Sequence, residues 1–207
     1  MTLIVHHLAN SRSQRVLWML EELGLPYEVR RYERDATMLA PSGLKRIHPL
    51  GKSPIIEDGG RVLVETGAIC EYLVERADGR LGPPAHRDDA LRYREFVHYA
   101  EGSMMPVLLI KLVLDRLPLV GKIVARRFRP MIDVHLDYVE RQLSDRPWFA
   151  GDVLTAADIM MSFHLEAARS RAGLDRSRPA TLAWLDKIHA RPAYRTALAR
   201  GGPYDYA

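Results

Sequence analysis

Lys52-Ser53-Pro54 stands between a polar loop and a pair of short strands, and its chemistry lies in its backbone. Ile55-Ile56-Glu57 and Arg61-Val62-Leu63-Val64 read as the two strands, and Asp58-Gly59-Gly60 between them supplies positions that tolerate positive φ. Pro54 sits at the mouth of the first strand, where a missing backbone donor costs least. The backbone groups of Ser53 are then free to pair with an extended partner from outside the chain. Two other polar pairs stand where helices begin, Asn10-Ser11 and Glu65-Thr66. His6 and His7 read as strand-end residues rather than bases. Neither metal-ligand spacing nor a phosphate-cradling glycine loop is present, so no metal centre is expected.

These residues need elements to hold them. Thr2-Leu3-Ile4-Val5 reads as a buried strand, with a turn over residues 6–12. A helix follows, carrying Val16, Leu17, Leu20 and Leu23 at helical spacing. Ser11 or Ser13 is placed to cap it, and Ser11 with Gln14 has the spacing of a capping box. Gly24 suits its C-terminus, and residues 27–32 alternate as a second strand. A strand–helix–strand unit of this length implies a parallel pair joined by a right-handed crossover. Residues 33–48 hold at most one short helix. The hairpin comes next, followed by a helix carrying Ala68, Ile69, Tyr72, Leu73 and Ala77.

Residues 79–86 read as a linker rich in glycine and proline. Everything after it reads as helix. Residues 88–114 form a long amphipathic one kinked at Pro106, and residues 122–143 a second. Thr155-x-x-Asp158 has the spacing of a side-chain cap on a further helix. The expected architecture is an α/β domain (βαβ-α-ββα) over 1–78, the linker over 79–86, and an all-helical domain over 87–207.

Composition narrows the function. Thirty basic and 26 acidic residues give a net charge of +4, with Arg126, Arg127 and Arg129 as the tight basic cluster. That pattern suits a solvated helix face and argues against nucleic acid. The single cysteine, Cys70, excludes an internal disulfide and suits a reducing compartment. The apolar run 106–125 is interrupted by Lys111, Asp115, Arg116, Pro118 and Lys122, so no membrane span is expected, and no signal peptide is visible. A cytoplasmic location follows.

Across nearly its whole length the chain resembles the cytosolic-type glutathione transferases. The matching pieces run in order: a thioredoxin-like first domain, Gly51-Lys52-Ser53-Pro54 where that fold keeps a cis-proline, and Glu65-Thr66 where the family has Glu/Gln-Ser. Trp148-Phe149-Ala150-Gly151-Asp152, Thr155-x-x-Asp158 and Arg191-Pro192-Ala193-Tyr194 continue the series. Glu101-Gly102-Ser103-Met104-Met105-Pro106 further resembles a branch found in fungi and bacteria.

The resemblance implies glutathione as co-substrate. Ser53 backbone, exposed by a cis Ser53-Pro54 turn, would pair with the cysteinyl residue as an added strand. Thr66 at a helix N-terminus would take the γ-glutamyl carboxylate, Glu65 the ammonium, and Lys52 the backbone or glycyl carboxylate. Aligning Arg15-Val16 with the family's first-helix Arg-Val puts Asn10 where many classes keep a catalytic Ser or Cys. Asn10 and Ser11 would then favour the thiolate of glutathione. Lowering a thiol from about 8.5 by ~2 units takes about 2.7 kcal/mol, which suits two hydrogen bonds and a helix dipole. Asn10 reads equally as a turn former, and Ser11 alone is the rival activator. Tyr99, Met104, Met105 and Leu108 would line the hydrophobic co-substrate site between the domains, or pack in the core. The implied function is a homodimeric glutathione transferase whose thiolate attacks an electrophilic carbon, a peroxide or a disulfide. The alternative is a glutathione-binding carrier or regulator with little turnover.

Overall fold

The computed structural model describes residues 2–34, 41–118 and 120–207. They divide into two compact units. One comprises residues 1–82 with 189–205 and 207, and the other residues 83–188 with 206. The change at 82/83 falls inside the expected linker. The region after the linker is helical throughout its elements, as expected, and its last helix groups with the first unit.

In the first unit, β1 (Leu3–Leu8), β2 (Tyr27–Tyr32), β3 (Ile55–Asp58) and β4 (Arg61–Val64) form one sheet in the order β2-β1-β3-β4. β1 pairs parallel with β2 and antiparallel with β3, which pairs antiparallel with β4. The crossover helix α1 (Ser13–Leu23) joins the parallel pair and ends at Gly24, whose φ of 62° is the left-handed closure glycine accepts. The β3–β4 turn uses two such positions, Gly59 and Gly60. A short α2 (Ser42–Lys45) precedes β3, and α3 (Thr66–Arg76) follows β4.

Two expectations for this unit are corrected. The first strand does not stop at Val5; it runs through His6 and His7 to Leu8, in register with β2 as far as Tyr32. Both histidines are buried, and each finds polar partners there. The His6 ring bonds the Tyr32 hydroxyl (2.9 Å) and Glu57 (2.6 Å), and His7 Nδ1 lies 2.9 Å from Ser13 Oγ. The Ser11–Gln14 capping box does not form. Arg12 is the N-cap residue, Ser11 Oγ accepts the Ser13 N–H instead (3.2 Å), and the Gln14 carboxamide is buried without a hydrogen bond.

Helix α9 (Pro192–Gly201) packs along α1, with the Tyr194 ring edge-on to Trp18 at 5.5 Å. Arg191 pairs with Glu22 and Arg200 with Glu21, while Arg31 on β2 donates to the carbonyl of Arg200 at the end of α9. Gly201 lies so close to Gln14 that an added Cβ would come within 2.5 Å of its Oε1. Small-residue contact and ion pairs together seat the helix on the sheet-forming unit.

The second unit is helical: α4 (Arg87–Tyr99), a π-helical turn (Ala100–Met104), α5 (Met105–Arg116), α6 (Val120–Asp145), α7 (Ala156–Arg171) and most of α8 (Pro179–His189). A π-helical turn stands just before Pro106, which lies in the first turn of α5, where its missing N–H costs least. Helix α7 is buried continuously from Ala156 to Ala168 and forms the centre of this unit. Around it Phe149 touches Phe96 (4.6 Å between ring centroids) and Trp184 (5.3 Å). The helical run Arg87–Arg116 contains an 18-residue window, of mean hydropathy 1.3, that is apolar enough to cross a membrane by length and composition; core helices of soluble proteins pass the same test.

Candidate functional site

Three segments that are distant in the chain meet at one end of the sheet. β1 leads out of Leu8 into the loop carrying Asn10 and Ser11. His6 lies opposite Ile55 on β3, so Ser53-Pro54 sits beside that exit. Ile55 in turn pairs with Val64, the last residue of β4, which brings Glu65-Thr66 to the same end. The Ser53–Pro54 peptide bond is cis. Asn10, Ser11, Lys52, Ser53, Pro54, Glu65 and Thr66 are therefore gathered by strand register alone.

Serine hydroxyls link two of these segments. Ser53 Oγ donates to the His6 carbonyl (3.1 Å), and Ser11 Oγ lies 3.4 Å from Ser53 Oγ. Ser11 Oγ is also 2.8 Å from Ser13 Oγ, which meets His7 Nδ1 and the Leu8 N–H (3.2 Å). Burial, reinforced by the positive charge of Arg31, lowers the His7 pKa to about 4. The imidazole at the inner end of this chain is thus neutral at physiological pH. At the outer end Ser11 stands just ahead of α1, where helical N–H groups carry partial positive charge. Such a position favours an anion over its conjugate acid.

The start of α3 differs from the start of α7, although both look like caps in the sequence. At α7, Thr155 and Asp158 form a complete capping box, and the Asp158 carboxylate also accepts from the Phe149 N–H (3.0 Å) and Trp184 Nε1 (3.3 Å). The two side chains there are turned to capping and to neighbouring donors within the unit. At α3, Glu65 is the N-cap residue with no side-chain cap, and its φ of 67° lies in the left-handed region that non-glycine residues seldom adopt. Such outliers concentrate at functional sites. Thr66 is buried, while Glu65 and Lys52 are exposed and have no ion-pair partner among the described residues. Uncapped helical N–H groups with one exposed anion and one exposed cation nearby match the charges of a zwitterionic peptide.

Asn10 also has φ in the left-handed region, 53°, which asparagine tolerates. Its carboxamide is held by a residue that sequence reasoning did not single out. Nδ2 donates to Asp205 Oδ2 (2.7 Å), and Oδ1 accepts the Asp205 N–H (2.9 Å). Arg34 donates to the Asn10 carbonyl (3.2 Å). In the second unit, Met104, Met105 and Leu108 are buried, and the half-buried Tyr99 bonds its hydroxyl to His135 Nδ1 (2.7 Å). Cys70 is free and buried. Among the described residues no group of three His, Cys, Asp or Glu side chains is placed to hold a metal.

The chain is similar to known proteins over most of its length. Residues 1–75 match the family model of the glutathione S-transferase N-terminal domain, and residues 124–195 that of the C-terminal domain. Glutathione S-transferase 3 of Schizosaccharomyces pombe is 36% identical over 210 residues, covering 94% of this chain and 86% of the relative. Glutathione S-transferase 1 of Saccharomyces cerevisiae is 34% identical over 92% of this chain and 91% of its own. Among solved structures, a glutathione S-transferase from Actinobacillus pleuropneumoniae superposes with a TM-score of 0.89 at 33% identity, over 99% of this chain and 95% of that one.

Proposed function

The chain belongs to the glutathione S-transferase family, and we propose that its first unit binds glutathione and activates the thiol for attack on a hydrophobic electrophile. Glutathione is an extended tripeptide with two carboxylates, one ammonium and a thiol. Thr66 and the free N–H groups of α3 take the γ-glutamyl carboxylate, and Glu65 takes the ammonium. Lys52 meets the tripeptide backbone or its glycyl carboxylate, and the backbone at Ser53, with the turn at Pro54, pairs with the cysteinyl residue. That binding mode directs the sulfur towards Asn10 and Ser11.

There the Asn10 amide, the Ser11 hydroxyl and the α1 dipole stabilise the thiolate. The sulfur attacks an electrophilic carbon, a C–S bond forms, and the leaving group departs with its electron pair. Of the residues expected to meet the co-substrate, Tyr99 keeps accessible surface and is the one assigned to it, while Met104, Met105 and Leu108 pack in the core. The enzyme acts as a homodimer in the cytoplasm. The observation that carries this reading is the meeting of Ser11, Ser53 and the uncapped start of α3 at one end of the sheet. A carrier without turnover is not favoured by a chain so similar to transferases over both of its matched domains.

The deciding experiment is a panel of glutathione-dependent assays on the pure protein, with an aryl halide, a peroxide and a mixed disulfide. Turnover with the aryl halide is expected. Failure to consume glutathione with any of the three substrates would overturn the reading.

A further inference from the structure

We propose that Asp205, in the tail that follows α9, is a positioning residue of the thiol site, holding the Asn10 carboxamide in the one orientation that presents an N–H to the sulfur. The inference rests on the assignment of Asn10 above. An asparagine carboxamide can turn about its last bond and exchange its oxygen for its nitrogen, so a lone asparagine specifies neither a donor nor an acceptor. Asp205 removes that freedom. Its carboxylate only accepts, and it takes Nδ2–H at 2.7 Å; its backbone N–H only donates, and it gives to Oδ1 at 2.9 Å. A flipped carboxamide would set oxygen against carboxylate and NH2 against N–H. With Oδ1 and one N–H fixed in this way, one Nδ2–H remains to stabilise a thiolate.

The Asn10 backbone is fixed as well, by the Arg34 guanidinium on its carbonyl and by α1 three residues on. The side chain is the part that needs a partner, and the chain returns over 195 residues to supply one. The tail is carried there by α9, which is seated on α1. The carboxylate opposes the thiolate by its charge, so deleting it outright mixes two opposite effects. Asparagine and alanine both remove that charge, and only asparagine keeps an acceptor for Asn10. The comparison of the two isolates the hydrogen bond.

The experiment compares Asp205→Asn with Asp205→Ala, each alone and together with Asn10→Ala. It reads kcat, KM for glutathione and the pH titration of bound thiolate by ultraviolet absorbance. In the otherwise native protein, kcat of Asp205→Ala is expected to be about three- to tenfold below that of Asp205→Asn, the effect of one hydrogen bond. The apparent thiol pKa of Asp205→Ala should be the higher, and KM for glutathione should be alike in both. With Asn10→Ala the difference between the two should vanish. Identical behaviour of the two Asp205 variants in the native background overturns the positioning role, as does a difference that survives Asn10→Ala. If Asn10→Ala alone leaves kcat and the thiolate titration unchanged, the Asn10 assignment itself fails, and the positioning role fails with it.

Discussion

Ser11 Oγ and Ser53 Oγ lie 3.4 Å apart, a contact that closes 42 residues of chain and sets the first helix start against the mouth of β3. Ser53 gives its own proton to the His6 carbonyl, so its oxygen faces Ser11 as an acceptor. Ser11 has one proton and several claimants: Ser53, Ser13 and a bound thiolate. A thiolate is the strongest acceptor of the three, because hydrogen bonds to charged groups are about twice as strong as neutral ones. Asn10→Ala and Ser11→Ala should each lower turnover about ten- to hundredfold while weakening glutathione binding less. Ultraviolet titration of bound glutathione from pH 5 to 9 checks the cause. A thiol that titrates like free glutathione in the wild type and both variants would dismiss thiolate activation.

The start of α3 supplies the second prediction. Its first-turn N–H groups have no side-chain cap, and the buried Thr66 adds a hydroxyl beside them. Replacing Thr66 by alanine removes a hydrogen bond to a charged carboxylate, a loss of about 1.5–3 kcal/mol. Calorimetry should show glutathione affinity falling by roughly ten- to 150-fold. Unchanged affinity would remove Thr66 from the site.

Much of this site is legible in the order and spacing of its residues. The hairpin turn, the Gly24 stop and the β1–α1–β2 crossover are written in short-range patterns, and the spacing of Thr155 and Asp158 announces its capping box. What is not legible is long-range. Nothing near Asn10 points to Asp205, and the amphipathic pattern of α9 does not say that α1 is its partner. The histidines mislead for a different reason. A histidine looks like a strand end because it is polar, yet His6 and His7 stay within β1 once Tyr32, Glu57 and Ser13 satisfy their rings. Ser11 and Gln14 mislead because capping-box spacing is necessary but not sufficient. The Ser11 oxygen is diverted to the Ser13 amide and to neighbouring hydroxyls.

The third prediction concerns assembly. Several large apolar side chains are exposed along α5 and α6, among them Leu109, Val113, Met131 and Val134. Isolated exposed apolar residues are ordinary, but several on adjoining helices are what a subunit interface would present. A permanent homodimer would bury roughly 2,000 Å² or more. Light scattering at micromolar concentration should give twice the 23.6 kDa chain mass. A monomer mass would reject the dimer.

The last prediction joins two buried groups with opposite pH signs. Folded His7 titrates near 4 against 6.5 for an ordinary histidine, because burial and Arg31 disfavour its charged form. Between those values the unfolded chain holds more protons, so stability falls as pH drops, by up to about 3 kcal/mol. Asp158 has the reverse sign. Burial outweighs the hydrogen bonds from Phe149, Thr155 and Trp184 and raises its pKa from 3.8 to about 6. Here the folded chain holds more protons, and stability falls as pH rises through the same window, by about 3 kcal/mol. Between pH 4 and 6 the two contributions oppose one another and nearly cancel. His7→Gln keeps a polar partner for Ser13 and removes the histidine contribution. Relative to wild type, the variant should therefore be more stable at pH 4 than it is at pH 7. Urea midpoints at pH 4, 5, 6 and 7 measure this directly, with the His7 ring followed by NMR. Wild-type and variant curves that stay parallel across the range, or a His7 ring that titrates near 6.5, would show that the imidazole is not held neutral by the fold.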